Sequence, residues 1–206
     1  GNTSIYAAKL NHASLIDGVR LASIQTNTSV TLFDHTAPES LNDLLIKDTR
    51  PLKLIVTDGV FSMDGDVASI QKLLAIAEQY DALLLVDDAH GFGVLGDQGE
   101  GTLSHYRMAG RDGVAAGWQG RMDRLIYMAT LGKAAGVSGA FVAGEPSMVE
   151  WVMQKARTYM FATAAPAMIA AALRASELCA ASARVSELEA AVGASQSEVD
   201  KLRQKC

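Results

Sequence analysis

The chain has 206 residues, of which 49% are hydrophobic, so it can bury a sizeable core as one large domain or two small ones. Its formal net charge of −5 argues against nucleic acid and against an anionic membrane surface as partners. No apolar run approaches the roughly 18 residues that a membrane-spanning helix needs.

The first eighty residues alternate between short apolar runs and amphipathic segments. The runs at residues 30–33 and 52–56 predict strands, and a helix is expected to begin near Ser14. Apolar side chains recur at helical spacing in residues 39–47 and 67–80, which predicts two more helices. Because helices alternate with strands, this part of the chain predicts right-handed βαβ units and a parallel sheet.

The next predicted strand ends in two carboxylates and an imidazole. Residues 83–86 form an apolar run typical of a buried strand, and Asp87, Asp88 and His90 follow it. In open α/β sheets, ligands bind outside the carboxyl ends of the strands, so these side chains are candidates for a site. The alternative is that they only cap the strand and bond the following loop.

Two phosphate-binding patterns are matched only in part. Residues 91–96 fit the dinucleotide pattern G-x-G-x-x-G, but loop-forming residues continue to Gly101 and no helix is predicted to open there. Around residues 132–133 the Walker A pattern fails, because Tyr127 stands where it requires Gly and Ala134 where it requires Ser or Thr. Neither pattern therefore predicts a nucleotide site.

A second apolar strand, near Leu125, ends in a polar turn that carries Lys133. Glycines at positions 132, 136 and 139 and other small residues are expected to enclose this lysine, with no other charge nearby in the sequence. That setting suits a partly desolvated amine that can form a Schiff base. The alternative is a lysine that points into solvent.

The remaining segments are helical or irregular. Glycine-rich residues 107–123 predict a surface loop. From residue 185, a short heptad pattern indicates either a coiled coil or an ordinary amphipathic helix. The other predicted elements are a strand at residues 140–143, a helix at 145–159 and an alanine-rich helix at 164–183 with a break near Pro166.

The cysteines and the first five residues indicate in which cellular compartment the protein is expected. Cys179 and Cys206 have no metal-ligand spacing and fit a reducing compartment. Residues 1–5 contain neither the basic region nor the apolar core of a signal peptide. The sequence therefore favours a cytoplasmic location and no metal site.

Carboxylate, imidazole and amine groups at the ends of separate strands fit one cofactor, pyridoxal phosphate. A lysine can bind this cofactor as a Schiff base, and a carboxylate keeps its pyridine nitrogen protonated, so that the ring acts as an electron sink. An imidazole three residues after the carboxylate can reach the adjacent ring oxygen. Asp87 and His90 have that spacing, and Lys133 supplies the amine.

Four motifs resemble the α-oxoamine synthases, which are pyridoxal phosphate enzymes that condense an amino acid with an acyl thioester. They occur in the same order as in that family, at residues 11–18 (NHASLIDG), 58–66 (DGVFSMDGD), 87–93 (DDAHGFG) and 130–136 (TLGKAAG). The resemblance implies a fold-type I large domain, a three-layer α/β/α structure with a mainly parallel sheet. Residues 1–163 would be part of that domain, and residues 164–206 a helical segment that leads to a C-terminal small domain.

The resemblance also implies roles for residues near the cofactor ring. Lys133 would bind the cofactor covalently and move the α-proton of the amino acid substrate. Asp87 would pair with the pyridine nitrogen, His90 with the ring oxygen, and His12 would stack on the ring. Without the resemblance, a polar turn into the first helix is the favoured interpretation of His12. Since neighbours on a strand point to opposite sides, Asp87 rather than Asp88 is expected to face the ring.

Three further residues complete the implied site. Thr130 would bind the cofactor phosphate, and Ser62 would lie near the ring oxygen or the substrate. Thr163 resembles the residue that reaches the phosphate of the neighbouring subunit in a homodimer. Ala167 stands where the family has a second proline after Thr163.

Within the family, the chain is most similar to the member that condenses L-alanine with a pimeloyl thioester, on coenzyme A or a carrier protein, in biotin biosynthesis. Ala89 and Gly91 on either side of His90 favour this member over relatives that use glycine with acetyl or succinyl thioesters. The partners implied are small-molecule substrates, an acyl carrier and a second copy of the chain. The alternatives are such a sister synthase, or a truncated, non-catalytic chain with a structural role.

The match covers the middle of the family's sequence. The glycine-bearing turn that cradles the phosphate and the C-terminal arginine that binds the substrate carboxylate have no counterpart in these 206 residues. We therefore expect the chain by itself to aggregate or to bind pyridoxal phosphate weakly, because strands near Leu52, Leu83, Leu125 and Ala140 belong to a parallel sheet that needs helices on both faces.

Overall fold

The computed structural model describes residues 2–106 and 121–175. The chain divides into two compact units, residues 1–163 and 164–206. In the described part of the second unit, residues 167–175 are helical. The first unit contains strands β1 (Thr3–Ala8), β2 (Ser29–Phe33), β3 (Leu52–Asp58), β4 (Leu83–Asp87), β5 (Leu125–Thr130) and β6 (Ala140–Gly144). Its helices are α1 (Ala13–Thr26), α2 (Ser40–Leu45), α3 (Ile70–Gln79), α4 (Thr102–His105), α5 (Pro146–Lys155) and α6 (Arg157–Met160), with a 3₁₀ turn at Met122–Arg124.

The strands form a single sheet in the order β2-β1-β3-β4-β5-β6. The first five strands are parallel, and β6 pairs antiparallel with β5 at the edge. The expectation that the strand at Ala140 is one of the parallel strands was therefore wrong. Residues 131–139 join β5 to β6 without a helix, and a link that short can return the chain only in the antiparallel direction.

The described elements differ from the predicted ones mainly at their ends. Strand β1 was not predicted, because its small residues do not form a long aliphatic run, although five of its six residues are buried. Helix α3 starts three residues late, since Val67 pairs with Val60 in an isolated bridge instead. The long helix predicted after Glu145 divides at Ala156, whose backbone is extended.

Apolar side chains cover both faces of the sheet. Ile55 and Leu84 belong to the larger core cluster, which includes the buried residues of α3. Val56, the next residue along β3, belongs to a second cluster with Val19 of α1. Alternate residues of one strand thus reach opposite layers, which makes this a three-layer α/β/α structure as predicted.

Some predicted features lie outside the described residues. These are the heptad pattern at residues 185–202, the two cysteines and most of the loop at residues 107–123. Arg121 and the following 3₁₀ turn are the described end of that loop. Among the described residues, no helix is both long and apolar enough to cross a membrane.

Candidate active site

The carboxyl ends of β3, β4 and β5 surround a cavity. Five residues predicted from the sequence line it together: His12, Asp87, His90, Thr130 and Lys133. The rest of the lining consists of Ser14, Asp58, Ala89 and Met128. The cavity therefore brings together side chains from four separate segments of the chain, at the edge of the sheet where a ligand is expected.

Strand alternation separates the two neighbouring aspartates. Asp87, the last residue of β4, lines the cavity, and its Oδ1 accepts a hydrogen bond from the backbone N–H of Ala89 at 3.0 Å. Asp88 does not line the cavity and is completely buried. This geometry supports Asp87 as the carboxylate available to a cofactor.

Asp88 instead joins several loops inside the protein. Its Oδ2 accepts a hydrogen bond from the Tyr127 hydroxyl at 2.5 Å and from the Thr102 backbone N–H at 2.8 Å. Burial raises the pKa of Asp88 above its usual range. A methyl group on Gly59, Gly91 or Gly101 would collide with the Asp88 carboxyl group. Three glycines thus pack directly against this carboxyl.

Lys133 and His90 are in contact across the cavity. Lys133 Nζ lies 2.9 Å from His90 Nε2. Desolvation, followed by the charge of Lys133, lowers the pKa of His90. A neutral His90 with an unprotonated Nε2 can therefore accept a hydrogen bond from the ammonium group of Lys133.

Lys133 is exposed, contrary to the expectation that glycines enclose it. Gly136 and Gly139 have positive φ angles of 69° and 114°, so they shape the turn rather than cover the amine. The turn is closed by hydrogen bonds from the Leu131 N–H to the Gly139 carbonyl and from the Val137 N–H to the Leu131 carbonyl. The Thr130 hydroxyl, which accepts from the Gly132 N–H at 3.2 Å, lies at its start.

The glycine-rich loop after His90 packs against this turn. Residues 91–96 form turns and not a helix, which agrees with the sequence expectation that no helix opens there. Gly93 has a φ of 82°, and a methyl group there would lie 2.5 Å from the Ala134 Cβ. The absence of a side chain at Gly93 lets the His90 loop and the Lys133 turn approach each other.

Asp58 is a cavity residue to which the sequence analysis gave no role. It ends β3, is 4% exposed and lies opposite Asp87 in the parallel ladder. Burial raises the pKa of Asp58 to about 6, and the charge of Asp87 adds to the effect. The signal was present in the sequence, since Asp58 follows an apolar strand just as Asp87 does.

His12 caps the first helix at the cavity. Its ring accepts a hydrogen bond from the Ser14 backbone N–H at 3.2 Å, and its own backbone N–H donates to Asp58 Oδ2 at 2.8 Å. The polar-turn interpretation of His12 is therefore correct for its hydrogen bonds. It does not conflict with a role in the cavity, which the exposed ring also lines.

Two predicted site residues lie apart from the others. Ser62 and Thr163 are exposed, and neither lines the cavity. Within this chain, the structure does not bring them together with Lys133. Their roles remain predictions.

The side chains of the cavity fit pyridoxal phosphate by their chemistry. An amine, a carboxylate, an imidazole and a hydroxyl line the same cavity. The amine can bind the cofactor aldehyde and the carboxylate its ring nitrogen, while the imidazole can bind the ring oxygen and the hydroxyl a phosphate oxygen. The cofactor would be held by Lys133, Asp87, His90 and Thr130, with His12 beside the ring.

Two similar curated relatives carry the same enzyme name. The chain is 53% identical over 173 residues to 8-amino-7-oxononanoate synthase 1 of Polaromonas sp., a match that covers 84% of the chain and 40% of that protein. The enzyme of the same name from Delftia acidovorans is also 53% identical, with the same coverage. The chain thus spans about 40% of the length of the curated relatives it matches.

Similar solved structures include serine palmitoyltransferases and an 8-amino-7-oxononanoate synthase. Serine palmitoyltransferase from Sphingomonas wittichii is 29% identical with a TM-score of 0.67, covering 84% of this chain and 39% of that one. The 8-amino-7-oxononanoate synthase from Francisella tularensis is 32% identical with a TM-score of 0.61, covering 83% and 44%. Serine palmitoyltransferase from S. paucimobilis, 28% identical with a TM-score of 0.66 over 83% and 39%, was solved with bound PLP–myriocin.

The sequence as a whole also matches one family description. Residues 1–206 match the class I and II aminotransferases. The fold agrees with that of the solved relatives, one of which was solved with bound PLP. The chain belongs to the class I and II aminotransferase family.

Proposed function

We propose that the protein is a pyridoxal phosphate-dependent synthase that condenses L-alanine with a pimeloyl thioester. A carbon–carbon bond forms between the α-carbon of alanine and the acyl carbonyl, and the thioester bond breaks. The alanine carboxylate leaves as CO₂, and the thiol carrier leaves with a proton, which gives 8-amino-7-oxononanoate. The cavity that brings Lys133, His90 and Asp87 together is the observation that carries this proposal.

The cofactor, when bound, supplies an electron sink for the electron pair at the substrate α-carbon. Lys133 holds the cofactor through its amine and moves the α-proton of alanine. Asp87 keeps a proton on the ring nitrogen, while His90, whose pKa is lowered, offers a neutral imidazole to the ring oxygen. Thr130 binds the phosphate, and His12 stacks on the ring and keeps water from that face.

The other expectations from the family belong to the same proposal. Residues 1–163 form part of the large domain, and residues 164–206 lead towards a small domain. The protein acts in the cytoplasm as a homodimer, in which Thr163 reaches the phosphate of the neighbouring subunit and Ser62 lies near the ring oxygen or the substrate. The exposure of both side chains leaves them accessible to groups outside this chain.

A serine palmitoyltransferase-like or other sister activity is the second candidate, supported by the TM-score of 0.67 to the Sphingomonas wittichii enzyme. The names of the curated relatives favour the alanine-using enzyme. Turnover with alanine and a pimeloyl thioester would support the proposal. Turnover only with serine and palmitoyl thioester, or with glycine and acetyl or succinyl thioester, would assign the protein to a sister enzyme.

Reductive trapping tests the assignment of the cofactor lysine. The protein is incubated with pyridoxal phosphate, reduced with borohydride and digested, and the modified peptide is identified by mass spectrometry. We expect the label on Lys133, and its loss in the Lys133→Ala variant. Lys47→Ala, which removes an exposed lysine that does not line the cavity, should leave labelling unchanged.

Two outcomes would contradict this part of the proposal. One is stoichiometric labelling of a lysine other than Lys133 in the unmodified protein. The other is unchanged labelling in a folded Lys133→Ala variant. A protein that binds the cofactor but turns over none of the substrate pairs would support the non-catalytic alternative.

A further inference from the structure

Three hydrogen bonds connect the start of α1 to the end of β3. The Asn11 side chain donates through Nδ2 to the Val56 carbonyl at 3.0 Å and accepts through Oδ1 from the Asp58 N–H at 3.0 Å. Asp58 Oδ2 in turn accepts from the His12 N–H at 2.8 Å. We call the side chains of Asn11 and Asp58, with these three bonds, the Asn11–Asp58 clamp.

The Asn11 amide extends the pairing of β1 with β3 beyond its last pair. The ladder between β1 and β3 ends at the pair Ala7–Val56. In a parallel ladder, a residue opposite Thr57 would donate to the Val56 carbonyl and accept from the Asp58 N–H. The Asn11 side chain makes both of these bonds, because an amide carries a donor and an acceptor. It therefore extends the pairing along β3 beyond the last β1–β3 pair, beside Ala8, which still pairs with Phe33 of β2.

The clamp lies inside the protein and reaches the cavity. Asn11 is 5% exposed and Asp58 is 4% exposed, so breaking a hydrogen bond of the clamp would leave buried polar groups without partners. His12, the residue after Asn11, lines the cavity together with Asp58 and Asp87. Asp58 and Asp87 are opposite each other in the ladder. The clamp therefore fixes the backbone of His12 relative to the carboxylate at the end of β4.

We propose that Asn11 and Asp58 are positioning residues, which hold His12 at the face of the cavity where the cofactor ring binds. This inference rests on the proposed function for the identity of the ring. The position of His12 itself does not depend on the ligand, so it can be tested in the cofactor-free protein. A clamp that only stabilises the fold would weaken the protein without acting through His12.

The first experiment measures His12 in the cofactor-free protein. The chain has 4 histidines, so the ring signals in a nitrogen–proton NMR spectrum can be assigned by loss of one signal in His12→Ala. We expect Asn11→Ala and Asp58→Ala to shift the His12 ring signals. Asp58→Asn, which retains an acceptor for the His12 N–H, should leave them close to those of the unmodified protein.

Asn42→Ala is a matched control for Asn11→Ala. The Asn42 side chain also donates through Nδ2 to a backbone carbonyl at 3.0 Å, that of Glu39 just before α2, and it does not line the cavity. Its removal should leave the His12 signals unchanged. Unchanged His12 signals in both folded clamp variants, Asn11→Ala and Asp58→Ala, would overturn the inference. If Asn11→Ala does not fold, Asp58→Ala against Asp58→Asn decides it.

The second experiment is a double-mutant cycle on the dissociation constant for pyridoxal phosphate, using Asn11→Ala, His12→Ala and the double variant. We expect Asn11→Ala to weaken binding about tenfold, the loss of roughly one hydrogen bond. In the His12→Ala background, Asn11→Ala should cause little further loss, since the clamp acts through His12. Fully additive losses would contradict a positioning role.

The two experiments separate this inference from the function on which it rests. If Lys133 of the unmodified protein is not labelled by pyridoxal phosphate even at millimolar-scale, saturating cofactor, the proposed function is wrong, and the NMR measurement alone decides whether the clamp positions His12. If the cofactor binds but the His12 ring signals are the same in the clamp variants as in the unmodified protein, the proposed function remains supported and the inference about the clamp is wrong.

Discussion

Asp87 and Asp88 are neighbours in the chain, but their environments differ. Asp87 lines the cavity, while Asp88 is fully buried and bonded to Tyr127 and Thr102. Burial also raises the pKa of Asp88 above its usual range. A shift of one position in the chain would therefore exchange a carboxylate that lines the cavity for one that is buried in the structure.

Asp58 makes the stability of the protein depend on pH. Burial raises the pKa of Asp58 to about 6, whereas the same carboxyl in the unfolded chain has a pKa of about 4. Between these values the folded state holds a proton that the unfolded state has released, so the contribution of Asp58 to the free energy of unfolding falls as the pH rises. The fall should be roughly 1–2 kcal/mol once solvent screening is allowed for.

Denaturant unfolding of the protein and of Asp58→Asn between about pH 4 and pH 7 measures this effect. The stability of the unmodified protein relative to the variant should decrease as the pH rises and level off above the folded-state pKa. Taking the difference removes the titration of carboxyls that both proteins share. A difference that is flat, or that increases with pH, would contradict the assigned shift.

At the scale of elements, the cavity residues lie at the ends of β3, β4 and β5, at the start of α1 and on the loops after β4 and β5. Glycines determine how closely the loops around the cavity pack. Gly101 has a φ of 99°, and a methyl group there would collide with both the Asp88 carboxyl and the Tyr127 hydroxyl. The loop before α4 can therefore reach these two side chains only because residue 101 lacks a Cβ.

Gly101→Ala and Gly18→Ala should have opposite effects on stability. Gly101→Ala should lower the free energy of unfolding by about 2–4 kcal/mol, through backbone strain and a disrupted hydrogen-bond cluster. Gly18 lies within α1, and a methyl group added there would meet no atom within 4 Å apart from its chain neighbours and the backbone of the helix. Gly18→Ala should therefore raise the free energy of unfolding by about 0.5–1 kcal/mol. Chemical denaturation of both variants provides the measurement, and equal effects would contradict the argument.

At the scale of the whole molecule, several large apolar side chains of residues 1–163 are exposed. Trp151, Tyr159 and Phe161, on and after α5 and α6, are 64%, 61% and 70% exposed. Exposed apolar surface of this kind favours association. We therefore expect the 206-residue chain in isolation to self-associate, with an average mass in sedimentation velocity that increases with concentration.

Replacing these three side chains by glutamine should reduce that association. Met63→Gln is the matched control, because Met63 is 91% exposed but lies on the loop after β3 rather than on α5 or α6. A monodisperse monomer over the whole accessible range of concentration would contradict the prediction. An equal reduction of association in the Met63→Gln variant would contradict it as well.

The sequence by itself determined the local features of this protein. Apolar runs that end in Asp87 and Lys133 predicted buried strands followed by polar turns, and the structure has β4 and β5 there. Hydrophobic periodicity likewise predicted α3, whose buried residues recur at helical spacing. These features depend on residues close in the chain, so their signal can be read from one sequence. The family motifs added the candidate roles.

Only the tertiary structure decided how those segments meet. It made β6 antiparallel, left Lys133 exposed, and placed Ser62 and Thr163 away from the cavity. It also paired Asn11 with the backbone of β3 and Asp58 with Asp87, contacts between residues far apart in the chain. Such contacts depend on strand order and register, which arise from packing of the whole sheet and leave no periodic signal in any one segment.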